Sequence, residues 1–267
     1  ILSYLLQFFG PVFWEYYNLT VGSHYLAHRD ANSKTWFNAG GFVKSQNNYI
    51  DDTEVDVQRR KIAGWTAGLT DERKLGDASL RTELTYQRGT GALDAIDPPE
   101  RLFNEGTART GIYKLSSSLT RPFRLTVANK PQQWVYSGSL KGQYAMDALV
   151  PSERMAIGGR YSVRGFDGER TLAGDHGVLA RQDVSLYLGN QPHAIYAGVD
   201  AGYVSMKNKD QNDLLLGHSL VGAAVGIKGQ IAPLHASYDV FTGYPLKQPD
   251  GFGDKHWVSG FSLNFEF

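Results

Sequence analysis

The sequence predicts an all-β fold, a transmembrane antiparallel β-barrel, from three observations. Polar and apolar residues alternate with period two in one segment after another. No run of eighteen or more apolar residues exists, so no membrane-spanning helix is expected, whereas strands carry a much weaker signal per segment. Read back from the C-terminus, the connections alternate short and long, as the periplasmic turns and external loops of such a barrel do.

Taken in order, residues 1–14 are apolar but broken by Gly10 and Pro11. They lack the basic leader and small-residue cleavage site of a secretory signal. A short turn at 27–34 is followed by a long loop at 46–54, whose surroundings hold Asp51, Asp52, Glu54 and Asp56. Solvated loop charge is the simpler reading of that cluster than a cation site. After a short turn at 70–77, residues 78–87 place Leu80, Leu84 and Tyr86 on one face and Arg81, Glu83, Thr85 and Gln87 on the other. A long loop at 89–111 and an intermediate connection at 122–133 follow. Residues 134–144 set Trp134, Tyr136, Leu140 and Tyr144 against Ser137, Ser139, Lys141 and Gln143. Beyond the long connection at 146–177, alternation resumes at 178–188, with a short turn at 189–193 and a long loop at 206–218. Residues 219–230 oppose Val221, Ala223, Val225 and Ile227 to Gly222, Ala224, Gly226 and Lys228. A short turn at 230–233 and a long loop at 244–256 lead to the last segment. There Trp257, Phe261, Leu263, Phe265 and Phe267 share one face.

These segments run to about ten to twelve residues, the length a tilted strand needs to cross a bilayer. Strands of soluble sandwiches, the alternative home for such alternation, are nearer five or six. Aromatic residues gather at segment ends and the polar faces are small or charged, which suits a water-filled lumen with interfacial girdles outside. About twelve strands result, and no boundary of a second domain appears, so residues 1–267 read as one barrel domain. One irregularity stands out. The connections around Gly10 and Pro11 and at 27–34 are both short, so an external loop and most of a strand are expected to be missing near Tyr25 to His28.

The composition narrows the function. Lys and Arg number 27 and Asp and Glu 27, so the zero net charge provides no general attraction to nucleic acid, which is not an expected partner. The absence of cysteine removes disulfides, thiol catalysis and cysteine-ligated metals. Seven histidines are scattered singly with no zinc-binding spacing, so neither a metal nor another cofactor is expected. Gly217-His218-Ser219 begins like a serine-nucleophile elbow, but it lacks the closing glycine and opens a strand where a helix should follow. No phosphate-binding loop is present. An enzyme is not expected.

The informative stretch is the connection at 146–177. It is far longer than a strand-to-strand turn, dense in glycine, and carries Arg160, Arg164 and Arg170. Such a loop is either disordered or held by its arginines. A partner is available in Asp200. The apolar face of its segment is Ile195, Ala197, Val199, Ala201 and Tyr203, so Asp200 points to the lumen, flanked by Gly198 and Gly202. Arginine and carboxylate pair bidentately.

At I-G-G-R-Y-S-V-R-G-F-D-G (157–168) the chain resembles the outer-membrane transporters of two-partner secretion, a family related to BamA. The texts Y-I-D-D-T-E-V-D-V-Q-R-R-K (49–61), Q-R-G-T-G-A-L (87–93) and E-G-T-A-R (105–109) resemble its haemolysin- and toxin-activator branch. So do S-Y-D-V-F-T-G-Y-P-L-K-Q-P-D-G-F (237–252) and F-S-L-N-F-E-F (261–267). The resemblance implies a bacterial outer-membrane barrel that exports an unfolded partner exoprotein, a haemolysin, adhesin or contact-dependent toxin, to the cell surface. It implies that the long loop folds inward and that Arg164 meets Asp200. Gly165 would permit the sharp tip, Phe166 would pack it against the wall, and Val163 and Arg160 belong to the same motif. Gly158 and Gly159 would let the descending limb pass close to the strands. Arg81, Glu83, Lys141 and Lys228 would line the lumen. Phe261, Leu263, Phe265 and Phe267 resemble the terminal strand by which such barrels are recognised for insertion. Implied partners are the exoprotein, outer-membrane lipid and lipopolysaccharide, and the barrel assembly machinery, with the barrel a monomer. Family barrels have sixteen strands behind a plug helix and two periplasmic domains, so the resemblance leaves this chain about four strands and those leading parts short. The alternatives are a BamA-type assembly factor and a passive porin.

Overall fold

The computed structural model describes residues 2–9, 12–50, 53–54, 59–96, 98–103, 105–127, 129–189 and 191–265. Among them the strands are β1 (Leu2–Phe9), β2 (Val12–Arg29), β3 (Ser33–Ile50), β4 (Thr53–Glu54), β5 (Arg60–Leu75), β6 (Ala78–Thr90), β7 (Gly111–Val127) and β8 (Lys130–Ala145). They continue with β9 (Met155–Ile157), β10 (Leu172–Gly174), β11 (His176–Tyr187), β12 (His193–Ser205), β13 (Ser219–Ile231), β14 (Ala236–Lys247) and β15 (Val258–Phe265). One 13-stranded sheet runs in the order β1-β2-β3-β5-β6-β7-β8-β11-β12-β13-β14-β15, with β4 on the side of β3. Every pairing between strands of this sheet is antiparallel, β3 joining β5 and β8 joining β11 across the short intervening strands, and β9 and β10 form a separate two-stranded hairpin inside the long loop. Among the described residues no pairing joins β1 to β15, so the sheet is open there. No described helix is long and apolar enough to cross a membrane.

Strand lengths depart from expectation. The ladder from β5 to β8 has strands of 13 to 17 residues, not ten to twelve. At about 3.3 Å per residue and a tilt near 40°, sixteen residues rise roughly 40 Å, so the ends of these strands continue beyond the ~30 Å hydrocarbon layer. Polar text there looks like loop although its backbone is still paired. The connection at 122–133 is the clearest case. It is a tight hairpin with Val127 opposite Lys130, and Pro122 and Pro131 lie within the ladder.

The region of the expected missing segment, Tyr25 to His28, lies within β2. β2 runs through those residues as one strand paired with β3, and the irregularity there is a bulge between Leu26 and His28. β1 pairs antiparallel with β2, Phe9 lying opposite Val12. Antiparallel pairing fixes which end a connection lies at, but not how long it must be.

Burial is inverted relative to a soluble fold. Along β12, Ile195, Ala197, Val199, Ala201 and Tyr203 are exposed on the outer face, while Ala194, Tyr196, Asp200, Gly202 and Val204 are buried on the inner one. The outward set on neighbouring strands, including Leu84, Leu140, Val184, Val225, Ile227 and Val240, is likewise apolar and exposed. At the long-loop end, aromatic rings on successive strands touch in sequence. Trp65 meets Tyr86 (5.5 Å between centroids), Tyr86 meets Tyr113 (4.9 Å) and Tyr144 meets His176 (4.7 Å). Farther round, Tyr203 lies beside His218 and Tyr244 beside Trp257. At the other end Phe123 stacks on Trp134, and the His193 ring lies tilted against Tyr238. An apolar band between two aromatic girdles is the outer surface of a membrane barrel. The buried apolar clusters lie between the long loop and the inner wall. One joins Ile157, Val163, Phe166 and Leu172 of the loop to Leu179, Val204 and Leu220 of the wall. Another sets Val150 on Phe42 and Ile62.

Candidate functional site

Leaving β8, the chain turns into the lumen. Leu149 packs with Ile112 and Ala145 on the inner wall, and a single 3-10 turn follows at Pro151–Glu153. The β9–β10 hairpin then carries residues 158–171 as its tip. At its head the Ser162 hydroxyl accepts the Gly158 and Gly159 amides at 3.0 and 3.1 Å.

Arg164 sits at the end of this excursion, 2% exposed, against Asp200, 1% exposed. Its backbone amide donates to Asp200 Oδ2 at 2.9 Å, its Nε to the same oxygen at 2.7 Å and its Nη2 to Oδ1 at 2.7 Å. The same Nη2 donates to Asp183 Oδ1 at 2.6 Å. Tyr196 lies beneath the guanidinium, with Cζ 5.6 Å from the ring centre. Arg181 approaches Asp200 Oδ2 at 3.6 Å. Burial works against the charge on Arg164, but hydrogen bonds to Asp200 and Asp183 outweigh it and hold its pKa above the ordinary arginine value. Removing two charges from water is costly, so the pair fixes geometry more than it adds net stability.

The wall is cut away to receive this tip. A Cβ on Gly198 would lie 1.9 Å from Asp183 Oδ1, and one on Gly222 would lie 1.8 Å from the Arg164 carbonyl oxygen. Gly165 needs both its freedoms: its φ is +100°, and a Cβ there would stand 2.7 Å from the Tyr244 carbonyl group of β14. Phe166 packs edge-on to Phe252 of the loop between β14 and β15, centroids 5.6 Å apart, as well as lying in the cluster against the wall. The expected roles of Gly158 and Gly159 shift. Gly158 faces the Arg170 carbonyl and Leu220, while Gly159 faces Gly168 of the returning limb, so Gly159 allows close approach within the loop and not to a strand. Arg160 reaches the Phe261 carbonyl of β15 at 3.2 Å, and Arg170 the Gly251 carbonyl at 2.9 Å.

The lumen residues share the inner face but not one place. Arg81 pairs with Glu72 of β5, and Glu83 accepts from Thr85 at 3.4 Å. Lys141 stands exposed on β8, and Lys228 lies 5.0 Å from the centre of the Tyr196 ring that also underlies Arg164. Phe261, Leu263 and Phe265 point outward from β15, and Phe267 lies outside the described residues. Among the described residues no cluster of three metal-ligating acids or histidines occurs.

Several partners were not read from the sequence. Asp183 is the second acid on Arg164, and its place on the Arg181 side of an alternating segment was the available signal. At the loop base, Glu153 accepts from Lys44 at 2.6 Å and from Gln87 at 2.8 Å, with Lys114 at 3.8 Å. Burial pushes its carboxyl up, but Lys44 and then Lys114 and Gln87 prevail and hold it below the ordinary glutamate range. Asp175, fully buried, accepts the Leu149 and Lys207 amides at 2.9 and 2.8 Å and faces Arg154 Nε at 3.4 Å.

An antiparallel sheet that shows lipid its apolar face and draws one long loop inside is an outer-membrane β-barrel. The chain belongs to the family of haemolysin secretion/activation proteins ShlB/FhaC/HecB, whose model matches residues 15–229. It is 30% identical over 221 residues to the outer membrane transporter CdiB-2 of Burkholderia pseudomallei, an alignment covering 82% of this chain and 37% of that protein. The solved structure of CdiB from Acinetobacter baumannii is 32% identical with a TM-score of 0.75, covering 96% of this chain and 43% of that one. CdiB from Escherichia coli, at 22% identity, shares the fold with a TM-score of 0.80 over 94% of this chain and 45% of that one. The chain thus spans under two fifths of the length of that curated relative.

Proposed function

We propose that this chain is the barrel of a two-partner secretion transporter, which exports an unfolded partner exoprotein from the periplasm to the cell surface. Loop 146–177 is the seal of its lumen. The observation that carries this reading is the inward loop whose buried arginine, Arg164, takes three hydrogen bonds to Asp200 on the wall. A constriction loop in a passive pore needs no such buried charge pair. The family match and the likeness to CdiB transporters support export over barrel assembly. The protein is no enzyme: it forms no bond and binds no cofactor, and the driving force is folding of the exoprotein outside. The exoprotein is a haemolysin, an adhesin or a contact-dependent toxin, and the likeness to CdiB transporters favours the toxin. Outer-membrane lipid and lipopolysaccharide bathe the apolar band, and the barrel assembly machinery inserts a monomer through the terminal face of Phe261, Leu263, Phe265 and Phe267.

The test is export of the exoprotein encoded beside it, by the complete gene product. Wild type, Arg164→Ala, and Arg164→Asp with Asp200→Arg are compared at equal amounts of heat-modifiable barrel. Export is expected with wild type, to fall with Arg164→Ala and to return in part with the exchange. If export is indifferent to the protein while other barrels fail to insert without it, it is an assembly factor.

A further inference from the structure

The tip of the inward loop is basic and docks on acidic residues, Asp200 and Asp183. Its base has the opposite polarity. The Glu153 side chain is 4% exposed and projects from the loop into a cationic corner of the wall. Lys44 of β3 reaches Oε1 at 2.6 Å, and Gln87 of β6 reaches Oε2 at 2.8 Å. Lys114 of β7 stands 3.8 Å from Oε2 and also donates to Gln87 Oε1 at 3.0 Å. Gln143 of β8 donates to the Glu153 backbone carbonyl at 3.0 Å. One loop residue thereby ties four strands, β3, β6, β7 and β8, all on the far side of β11 from β12.

The base is also tied together internally by hydrogen bonds. Buried Asp175 takes the amide of Leu149 from the descending limb and that of Lys207 from the next loop, and Arg154 beside Glu153 donates to the Leu149 carbonyl at 3.1 Å. Whatever holds Glu153 therefore holds residues 149–154 together with Asp175. A buried carboxylate is kept only where it is paired, and losing its partners is severe.

We propose that Glu153 is a second latch, independent of Arg164, which holds the base of the loop to the wall formed by β3, β6 and β7, so that the lumen clears only when both are released. This rests on the reading of the loop as a movable seal. Charge of opposite sign at the two ends means that no single counter-ion displaces both, and breaking the tip alone leaves the base across the lumen.

The chain's arginines allow each end to be read separately. In the complete gene product reconstituted in lipid bilayers, trypsin cutting after Arg154 reports the base, and cutting after Arg160 and Arg170 reports the tip. Rates are normalised to those of the denatured protein. Glu153→Gln is expected to speed cutting after Arg154 by about tenfold or more, with the tip sites unchanged. Arg164→Ala is expected to do the converse. Only the double variant should show sustained open-channel conductance, and Glu153→Lys with Lys44→Glu should restore slow cutting after Arg154. If Glu153→Gln leaves that site as slow as in wild type, or if Arg164→Ala alone frees both segments, there is one latch and Glu153 is ordinary packing. Cutting and conductance need no exoprotein, so a failed export experiment would leave this result readable.

Discussion

Gly222→Ala on β13 tests whether the wall is shaped for the loop tip. Alanine normally suits a strand better than glycine, which has no side chain to pack and loses more chain entropy. Here the sign reverses. The new Cβ would stand 1.8 Å from the Arg164 carbonyl oxygen and 3.0 Å from its carbonyl carbon. An ordinary C···O contact is about 3.3 Å, so the tip must withdraw by roughly 1.5 Å (3.3 − 1.8). That carries the 2.7–2.9 Å bonds to Asp200 past hydrogen-bonding distance. Bonds to charged groups are worth about 1.5–3 kcal/mol each, but Arg181 and lumen water would take up part of the freed carboxylate. A net cost of about 1–3 kcal/mol, the usual range for overpacking, follows. The undocked fraction should then rise about five- to a hundredfold, at about 1.4 kcal/mol per tenfold. Hydrogen exchange of the amides in 158–171, followed by mass spectrometry, measures that fraction directly. Gly41→Ala on the outer face of β3 is the control, since the nearest atom to its Cβ is 3.7 Å away. If tip amides exchange no faster in Gly222→Ala than in Gly41→Ala, the glycines of the wall do not shape a bed for the loop.

Two further outcomes follow from the same geometry. The Glu153 carboxyl is held below the ordinary glutamate value of 4.5, so its contribution to docking the base is complete above that value and is lost as pH falls through the depressed one. Exchange of amides in 146–156, corrected for its intrinsic pH dependence, should stay flat from about pH 8 to pH 5 and rise below about pH 4; a rise beginning above pH 6 would contradict the assignment. On the outer face, Val199→Arg on β12 should destabilise membrane insertion by about 2–4 kcal/mol, whereas Lys141→Gln on the lumen side should change it little. Folding titrations into lipid vesicles would decide, and equal effects of the two would undo the assignment of faces.

The parts of this molecule that were legible in its residues are those set by local pattern. Alternation from Ile195 to Tyr203 was enough to turn Asp200 inward, because a strand has only two faces. Arg164 stood out because charge in a long glycine-rich loop needs a partner. What sequence could not supply was the choice among partners distant in the chain. Asp183 and Arg181 lie on the same inner face as Asp200, and only the folded register puts one of them on the guanidinium and the other beside the carboxylate. Glu153 was invisible for the same reason. Lys44, Gln87 and Lys114 each look like ordinary lumen polarity until three strands bring them together. Strand ends were misjudged where polar and proline-bearing text at 122–133 stays paired outside the bilayer.

The depth of the Arg164 site has a consequence for the space beneath it. On β12, Asp200 lies three residues from Tyr203 in one aromatic girdle and seven from His193 in the other. At about 2.5 Å of rise per tilted residue, the seal sits roughly 8 Å below the outer waterline and 17 Å above the inner one. Under the proposed function the lumen is therefore asymmetric about Arg164, shallow towards the medium and deep towards the periplasm. Under the proposed function, an extended segment of about five residues (at roughly 3.3 Å each) can enter and lie in the deep compartment before it touches the tip. On that reading the periplasmic half of the barrel would be a waiting chamber, in which cargo commits to passage while the outer face is still closed.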